Sequence, residues 1–238
     1  MKRITIHLLD FRSYISGTEL QGWLMEQIPN DYAEQLHNQS VNPYSLYTAR
    51  GKLVINALTD DFFEKIASIL NLTIVKLTNH EAIKIERIEI ETLTQKELAK
   101  IFYAESPVNQ FEIIFNSPTS FKQNGEYVLF PTVGLIFQSV MRKYEDLMDG
   151  ESSIDEEMLH EIETHAKITS YNLRSKYFRV HGQPIPAFVG EIKITIFGAN
   201  TLISYLRMLL TFGTFSGIGI KSSMGMGAIL INERQKDE

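Results

Sequence analysis

The sequence predicts an α+β fold of two tandem βαββαβ units, the ferredoxin-like (RRM-like) order. Three observations predict it. Short runs alternate apolar and polar residues, helical apolar periodicity falls between those runs, and the same succession occurs twice along the 238 residues. A chain of this length buries roughly 70–75% of its unfolded surface, so its core needs no disulfide or metal.

The first unit is expected over residues 1–107. Arg3–Leu9 alternates as a strand, and Thr18–Ile28 carries Leu20, Trp23, Leu24, Gln27 and Ile28 at helical spacing until Pro29 ends it. After an irregular stretch, Lys52–Leu58 reads as a strand. Thr59 or Asp60 can then cap a helix whose core face is Phe62, Phe63, Ile66, Ile69 and Leu70. Leu72–Leu77 is a short strand. Ile83 and Ile85 fall out of phase with Ile88 and Ile90, which predicts a bulge or bend.

The second unit, residues 108–238, follows a break around Pro107. Phe111–Phe115 is a strand and Val133–Leu147 a helix; an acidic insertion comes next. Extended segments Ser170–Val180 and Phe188–Phe197 flank the turn HGQPIP. Leu202, Ile203, Leu206, Leu209 and Leu210 form the face of a helix closed by Gly213, and Ala228–Ile231 is the last strand.

Charge is unevenly placed. The net charge is −6, yet Tyr144–His165 holds nine acidic residues and no Lys or Arg. Without that segment the balance is 23 basic to 20 acidic, and Lys167–Lys236 has nine basic residues against two acidic. A polyanion partner suits that C-terminal half. The acidic run reads as a solvated helical insertion, with metal binding by Asp155, Glu156 and Glu157 the lesser reading. The chain has no cysteine, which removes thiol catalysis and Cys-ligated metals and suits a reducing cytoplasm. The N-terminal apolar run stops at Asp10, short of a signal peptide, and no window approaches the roughly 18 apolar residues of a membrane span.

Four of the 14 glycines stand in GIGIKSSMGMG, Gly217–Gly227. The P-loop pattern fails because Ile220, not glycine, precedes Lys221, and a dinucleotide fingerprint fails at Ser222. A plain connecting loop rarely needs four glycines with Lys221, Ser222 and Ser223 between them. Glycine-rich loops bring backbone N–H groups against phosphate.

The spacing Gly217-x-Gly219, five residues, Gly225-x-Gly227 resembles the C-terminal signature of the CRISPR-associated endoribonucleases of the sixth Cas family, in the RAMP superfamily. DYAEQLHNQSVNPYSLYTARGK is similar to that family's histidine region, and NSPTSFKQNGEYVLFP to the opening of its second domain. The resemblance covers essentially the whole chain. It implies tandem ferredoxin-like domains and a metal-independent endoribonuclease without cofactor. Such an enzyme cuts CRISPR precursor RNA within its repeats: the 2′-OH attacks the adjacent phosphate, leaving a 2′,3′-cyclic phosphate and a 5′-OH. A base, an acid and positive charge at the phosphate serve that chemistry.

His37 is the candidate acid or base by the same resemblance. Met25 stands where some members have a tyrosine, and the six residues after His37 contain no lysine. The second proton-transfer group is therefore open among Tyr32, Tyr44, Arg50 and Lys52. His7, His80, His160, His165 and His181 are weaker candidates. RNA phosphates would meet Gly217, Gly219, Gly225 and Gly227 with Lys221, Ser222 and Ser223, then Arg50, Arg174, Lys176 and Arg179, and less directly Arg142 and Lys143. The implied partners are repeat RNA or crRNA and a type III effector complex, with no membrane; a homodimer stays open. Two alternatives compete: a RAMP subunit that holds crRNA without cutting it, and a ferredoxin-like protein for a small phosphorylated ligand.

Overall fold

The computed structural model describes all residues except 12, 40, 79, 104–107, 150–154, 181 and 235–238. By contacts the chain divides into two compact units. One is Met1–Leu93 with Lys221–Gly225, and the other is Thr94–Ile220 with Met226–Glu238. The division falls ahead of the expected break at Pro107, a position outside the described residues. Thr94 caps a helix that packs within the second unit, which is why the chain changes unit there.

The first unit runs β1 (Lys2–Leu8), α1 (Gly17–Met25), α2 (Asn30–Asn38), β2 (Tyr44–Ala49), β3 (Lys52–Ala57), α3 (Asp60–Ile66), β4 (Ile74–Val75) and β5 (Ile83–Thr92). Its antiparallel sheet has the order β2-β3-β1-β5-β4, the ferredoxin-like arrangement with β4 added at one edge. Period-two alternation sends Ile4, Ile6, Leu46, Leu53 and Ile55 to one face, where Leu20 and Leu24 of α1 and Phe62 and Ile66 of α3 cover them. The other face is polar. Asn56 donates to Ser45 (2.8 Å), Arg3 donates to Asn56 (2.9 Å) and to Glu91 (2.8 Å), a chain of bonds across four strands.

Several expectations are corrected here. The helix expected to Ile28 ends at Met25, and Pro29 opens α2 instead of closing α1. The stretch read as irregular holds α2 and β2, because Ser45 and Thr48 bury polar groups through hydrogen bonds and hide the strand's alternation. Thr59 is the cap of α3, accepting from Phe62 N–H at 3.2 Å. The phase slip in β5 is a bulge: His7 pairs Arg87 while Leu8 pairs Ile85, leaving Glu86 as the extra residue.

The second unit runs α4 (Gln95–Phe102), β6 (Gln110–Thr119), β7 (Phe121–Gln123), β8 (Glu126–Val128), α5 (Val133–Tyr144), α6 (Glu156–His165), β9 (Ala166–Val180), β10 (Gln183–Ile196), α7 (Asn200–Ser216) and β11 (Ile229–Arg234). Its sheet order, β11-β6-β10-β9, repeats the arrangement of the first, and β7 and β8 form a separate hairpin. Phe111, Ile113, Ile192 and Ile194 are buried with Phe137 and Val140 of α5 and Leu206, Leu209 and Leu210 of α7. α4 packs on α7, an element the sequence reading leaves unassigned. Asp155 caps α6 by accepting from Met158 N–H (2.9 Å), with Glu156 and Glu157 in its first turn, where a helix favours negative charge.

The expected turn through Pro186 is shorter. Pro184 and Pro186 lie inside β10, opposite Arg179 and Tyr177. β10 pairs with β6 only from Phe188 onward, so each proline sits where the strand has one neighbour and a missing N–H costs no ladder bond. Gly213 does not close α7; the helix continues to Ser216, and Gly217 at φ 71° terminates it. Phe62 is fully buried and stacks on Tyr44 at 4.8 Å between ring centroids. Phe62→Ala is therefore expected to lower unfolding stability by about 3–5 kcal/mol, measured by urea denaturation.

Candidate functional site

Gly217–Gly227 is tied into the fold through its own backbone. Gly217 N–H donates to Gly213 O (2.9 Å), Ile218 N–H to Gly227 O (2.8 Å), Gly219 N–H to Ser139 Oγ (2.7 Å), Ile220 N–H to Ser120 O (3.0 Å) and Gly227 N–H to Pro118 O (3.0 Å). Met224 N–H closes a 3₁₀ turn on Lys221 O at 2.9 Å. The expected phosphate donors Gly217, Gly219 and Gly227 are corrected on this ground: their amides already hold the loop in place.

The glycines serve close approach. A Cβ on Gly219 would overlap Ser120 O, and one on Gly227 would overlap Ile218 O; both residues also have positive φ. Lys143 sets the start of the loop. Its Nζ donates to Ser216 O (3.2 Å) and Gly217 O (2.9 Å), and burial pushes its pKa down to about 7. The expected contact between Lys143 and RNA gives way to this helix-terminating role.

Lys221–Gly225 belongs to the first unit. Ser223 is buried there, accepting from Asn42 Nδ2 at 3.3 Å, and it also bonds the hydroxyl of Tyr44. Gly225 lies against Gly17 at the first turn of α1: a Cβ on Gly225 would sit 2.6 Å from Gly17 Cα. Lys221 and Ser222 stay partly exposed. Lys221 takes a left-handed conformation (φ 55°, ψ 36°), uncommon for a non-glycine residue, at the head of the 3₁₀ turn. The loop thus presents one lysine and one serine, with Ser223 turned inward.

The structure separates the proton-transfer candidates. His37 lies near the C-terminal end of α2, not in an irregular segment, and its side chain is outside the described part of the structure. Tyr32 donates to Asp61 Oδ2 at 2.7 Å, and burial with that carboxylate pushes its phenol far above the ordinary range. Tyr44 is 2% exposed and stacked on Phe62; burial raises its phenol too. Both shifts run away from neutral pH, the wrong direction for an acid or base there. Tyr44 opposes Ala57 and Ala49 opposes Lys52, so Tyr44 and Lys52 stand at opposite ends of the β2–β3 hairpin, roughly 17 Å apart at 3.3 Å per residue. Arg50 is exposed in the β2–β3 turn, at the Lys52 end.

Other histidines have structural partners. His7 is buried and bonded to Glu89 (2.9 Å), whose pKa is pulled down to about 2 by Arg87 and then His7. His80 sits 3.7 Å from Glu19 and edge-on to Phe11. His165 bonds Glu161, and His160 is exposed on α6. His181 is outside the described residues. On β9, Arg174 and Lys176 share a face while Arg179 points to the other, by strand alternation. The sequence reading misses Gly17, Asn42 and Ser139. Only Gly17 leaves a trace, as a glycine directly after the helix cap Ser16.

Known proteins resemble this chain closely. A model of the family "CRISPR-associated endoribonuclease Cas6" matches residues 113–229. A CRISPR-associated endoribonuclease Cas6 of Streptococcus thermophilus is 41% identical over 242 residues, covering 99% of this chain and all of that one. Another, of Mycobacterium tuberculosis, is 37% identical over 224 residues, covering 90% of this chain and 71% of its own length. A solved Cas6 product complex superposes with a TM-score of 0.81 at 19% identity, over 98% of this chain and 100% of that chain.

Lys143 yields a pH prediction. Its folded pKa lies below the unfolded value, so between about pH 7 and 10 the unfolded chain binds a proton that the folded one lacks. Folding stability contributed by this group therefore rises with pH across that window. The stability of wild type minus that of Lys143→Met is expected to climb by up to ~1.4 kcal/mol per pH unit in denaturant titrations at pH 6, 8 and 9. A constant difference would mean that the amine stays protonated in the fold.

Proposed function

We propose, for a chain that belongs to the CRISPR-associated endoribonuclease Cas6 family, that it cleaves CRISPR precursor RNA within the repeats by metal-independent 2′-OH attack. An endoribonuclease of CRISPR RNA processing is what the family supplies; the route of the cut is our reading. Its products would be a 2′,3′-cyclic phosphate and a 5′-OH, and the released crRNA would pass to a type III effector complex. His37 takes the proton role, since a histidine titrates near neutral pH. Lys221 faces the scissile phosphate as the cation, with Ser222 beside it.

One observation carries this reading: the chain that follows His37 anchors the glycine loop. Asn42, five residues on, donates to Ser223 within the first unit. Five residues span at most about 18 Å, which bounds how far the backbone of His37 can stand from that anchor and supports a shared site with the partly exposed turn at Lys221. Neither Tyr32 nor Tyr44 is proposed as the second proton carrier, because both phenols are pushed up.

The test is cleavage of cognate repeat RNA in EDTA, with product ends mapped. Wild type is expected to cut to a cyclic-phosphate end, and His37→Ala to lose about 10²–10⁴ in rate. Cutting at equal rates by both would sink the role of His37. Tight binding without cutting by either would favour the non-catalytic RAMP subunit. Separately, Lys221→Ala is expected to weaken RNA binding and flatten the log K against log salt slope by about 0.7, the release of one counterion from a single strand. An unchanged slope would remove Lys221 from the phosphate contacts.

A further inference from the structure

Phe130 and Tyr171 meet edge to face at 5.5 Å between centroids, yet they are 50% and 62% exposed. Both rings stand on fixed supports. Tyr171 is in the paired length of β9 opposite Ile192, and Phe130 lies two residues beyond the β7–β8 hairpin, just ahead of α5. From Gln183↔Val180 to Lys193↔Ser170 the β9–β10 register is unbroken. Strand alternation therefore places Tyr171, Tyr177 and Arg179 on one face of β9. Tyr177 is 69% exposed. Two of these rings stand on the edge strand, Tyr177 about 20 Å along it from Tyr171 at ~3.3 Å per residue, and exposed rings held in this way suit contact with a flat apolar partner.

The charge around these rings selects the partner. β9 has no acidic residue along its 15 positions; Arg179 shares the face of Tyr171 and Tyr177, while Arg174 and Lys176 stand on the other face of this edge strand, where Glu191 of β10 opposes Asn172. The β10 residues opposite Tyr171–Arg179 on the tyrosine face are Ile192, Gly190, Phe188, Pro186 and Pro184, all uncharged. Base faces stack on aromatic rings whatever their sequence, and a basic strand tracks the phosphates between them.

We propose that Phe130 and Tyr171, continued by Tyr177 and Arg179, form a stacking platform for unpaired nucleotides of the RNA. The bound nucleotides are single-stranded ones next to the cut repeat, not the scissile phosphate. This rests on the proposed RNA-processing function. It assigns to that function a site distinct from His37 and the glycine loop, and one that tolerates any base.

The experiment uses the full chain and repeat RNA carrying 2-aminopurine at successive unpaired positions. In wild type, binding is expected to quench the fluorophore at one or two of those positions. Phe130→Leu and Tyr171→Leu, which keep apolar volume and lose the ring, should each abolish that quench and weaken single-strand binding roughly tenfold. Tyr171→Trp should restore both. A fully base-paired RNA of equal length should bind all four proteins alike. If wild type binds no RNA, the proposed function falls and this inference with it. If wild type binds and cuts while the leucine variants quench and bind as it does, only the platform is overturned. Loss of self-association in Tyr171→Lys, with RNA affinity intact, would make the face a contact between protein copies and overturn it equally.

Discussion

Backbone meeting backbone at distances that admit no Cβ is the constraint on which Gly217–Gly227 depends. Gly219 rests on Ser120 O, Gly227 on Ile218 O, and Gly225 on Gly17. Each contact is available to glycine alone, and each is backed by an amide bonded into the fold or by a neighbour that is itself glycine. The loop's rigidity follows from this arrangement. A segment with at least six of its eleven amides bonded can hold Lys221 in a left-handed conformation that a freer loop would relax.

Lys143 and Ser139 extend the same logic into α5. The carbonyls at the end of α7 lack intrahelical donors, and Lys143 of α5 supplies them. Burial lowers the pKa of that amine, while the two carbonyls can accept from it in either protonation state. One turn earlier, Ser139 receives Gly219 N–H. Two neighbouring turns of one helix thus set the path by which the chain leaves α7.

The two polar surfaces differ in what their charges do. On the first sheet, Arg3, Glu91, Arg87 and Glu89 are paired with one another or with Asn56 and His7, which fixes register. On β9 the basic residues have no acidic residue within their own strand and stand among exposed tyrosines. Polar groups that bond each other stabilise the sheet, whereas a one-sign strand with exposed rings is disposed toward an outside polyanion.

The fold class, the slip of phase in β5 and a helix cap at Thr59 or Asp60 were legible in the sequence, because alternation and capping are local patterns; β2 and α2 were not, since the buried polar Ser45 breaks the alternation of its strand. The family was legible for a related reason: its motifs are short and ordered along the chain. Only the tertiary structure decided what the glycines are for. Whether an amide faces a phosphate or Ser120 O depends on a residue a hundred positions away, which no local pattern records. Tyr44 and Lys52 look like neighbours eight residues apart, yet they stand at opposite ends of the β2–β3 hairpin. Lys143, a basic residue on an apparently exposed helix, is turned inward and half-buried because α7 ends upon it.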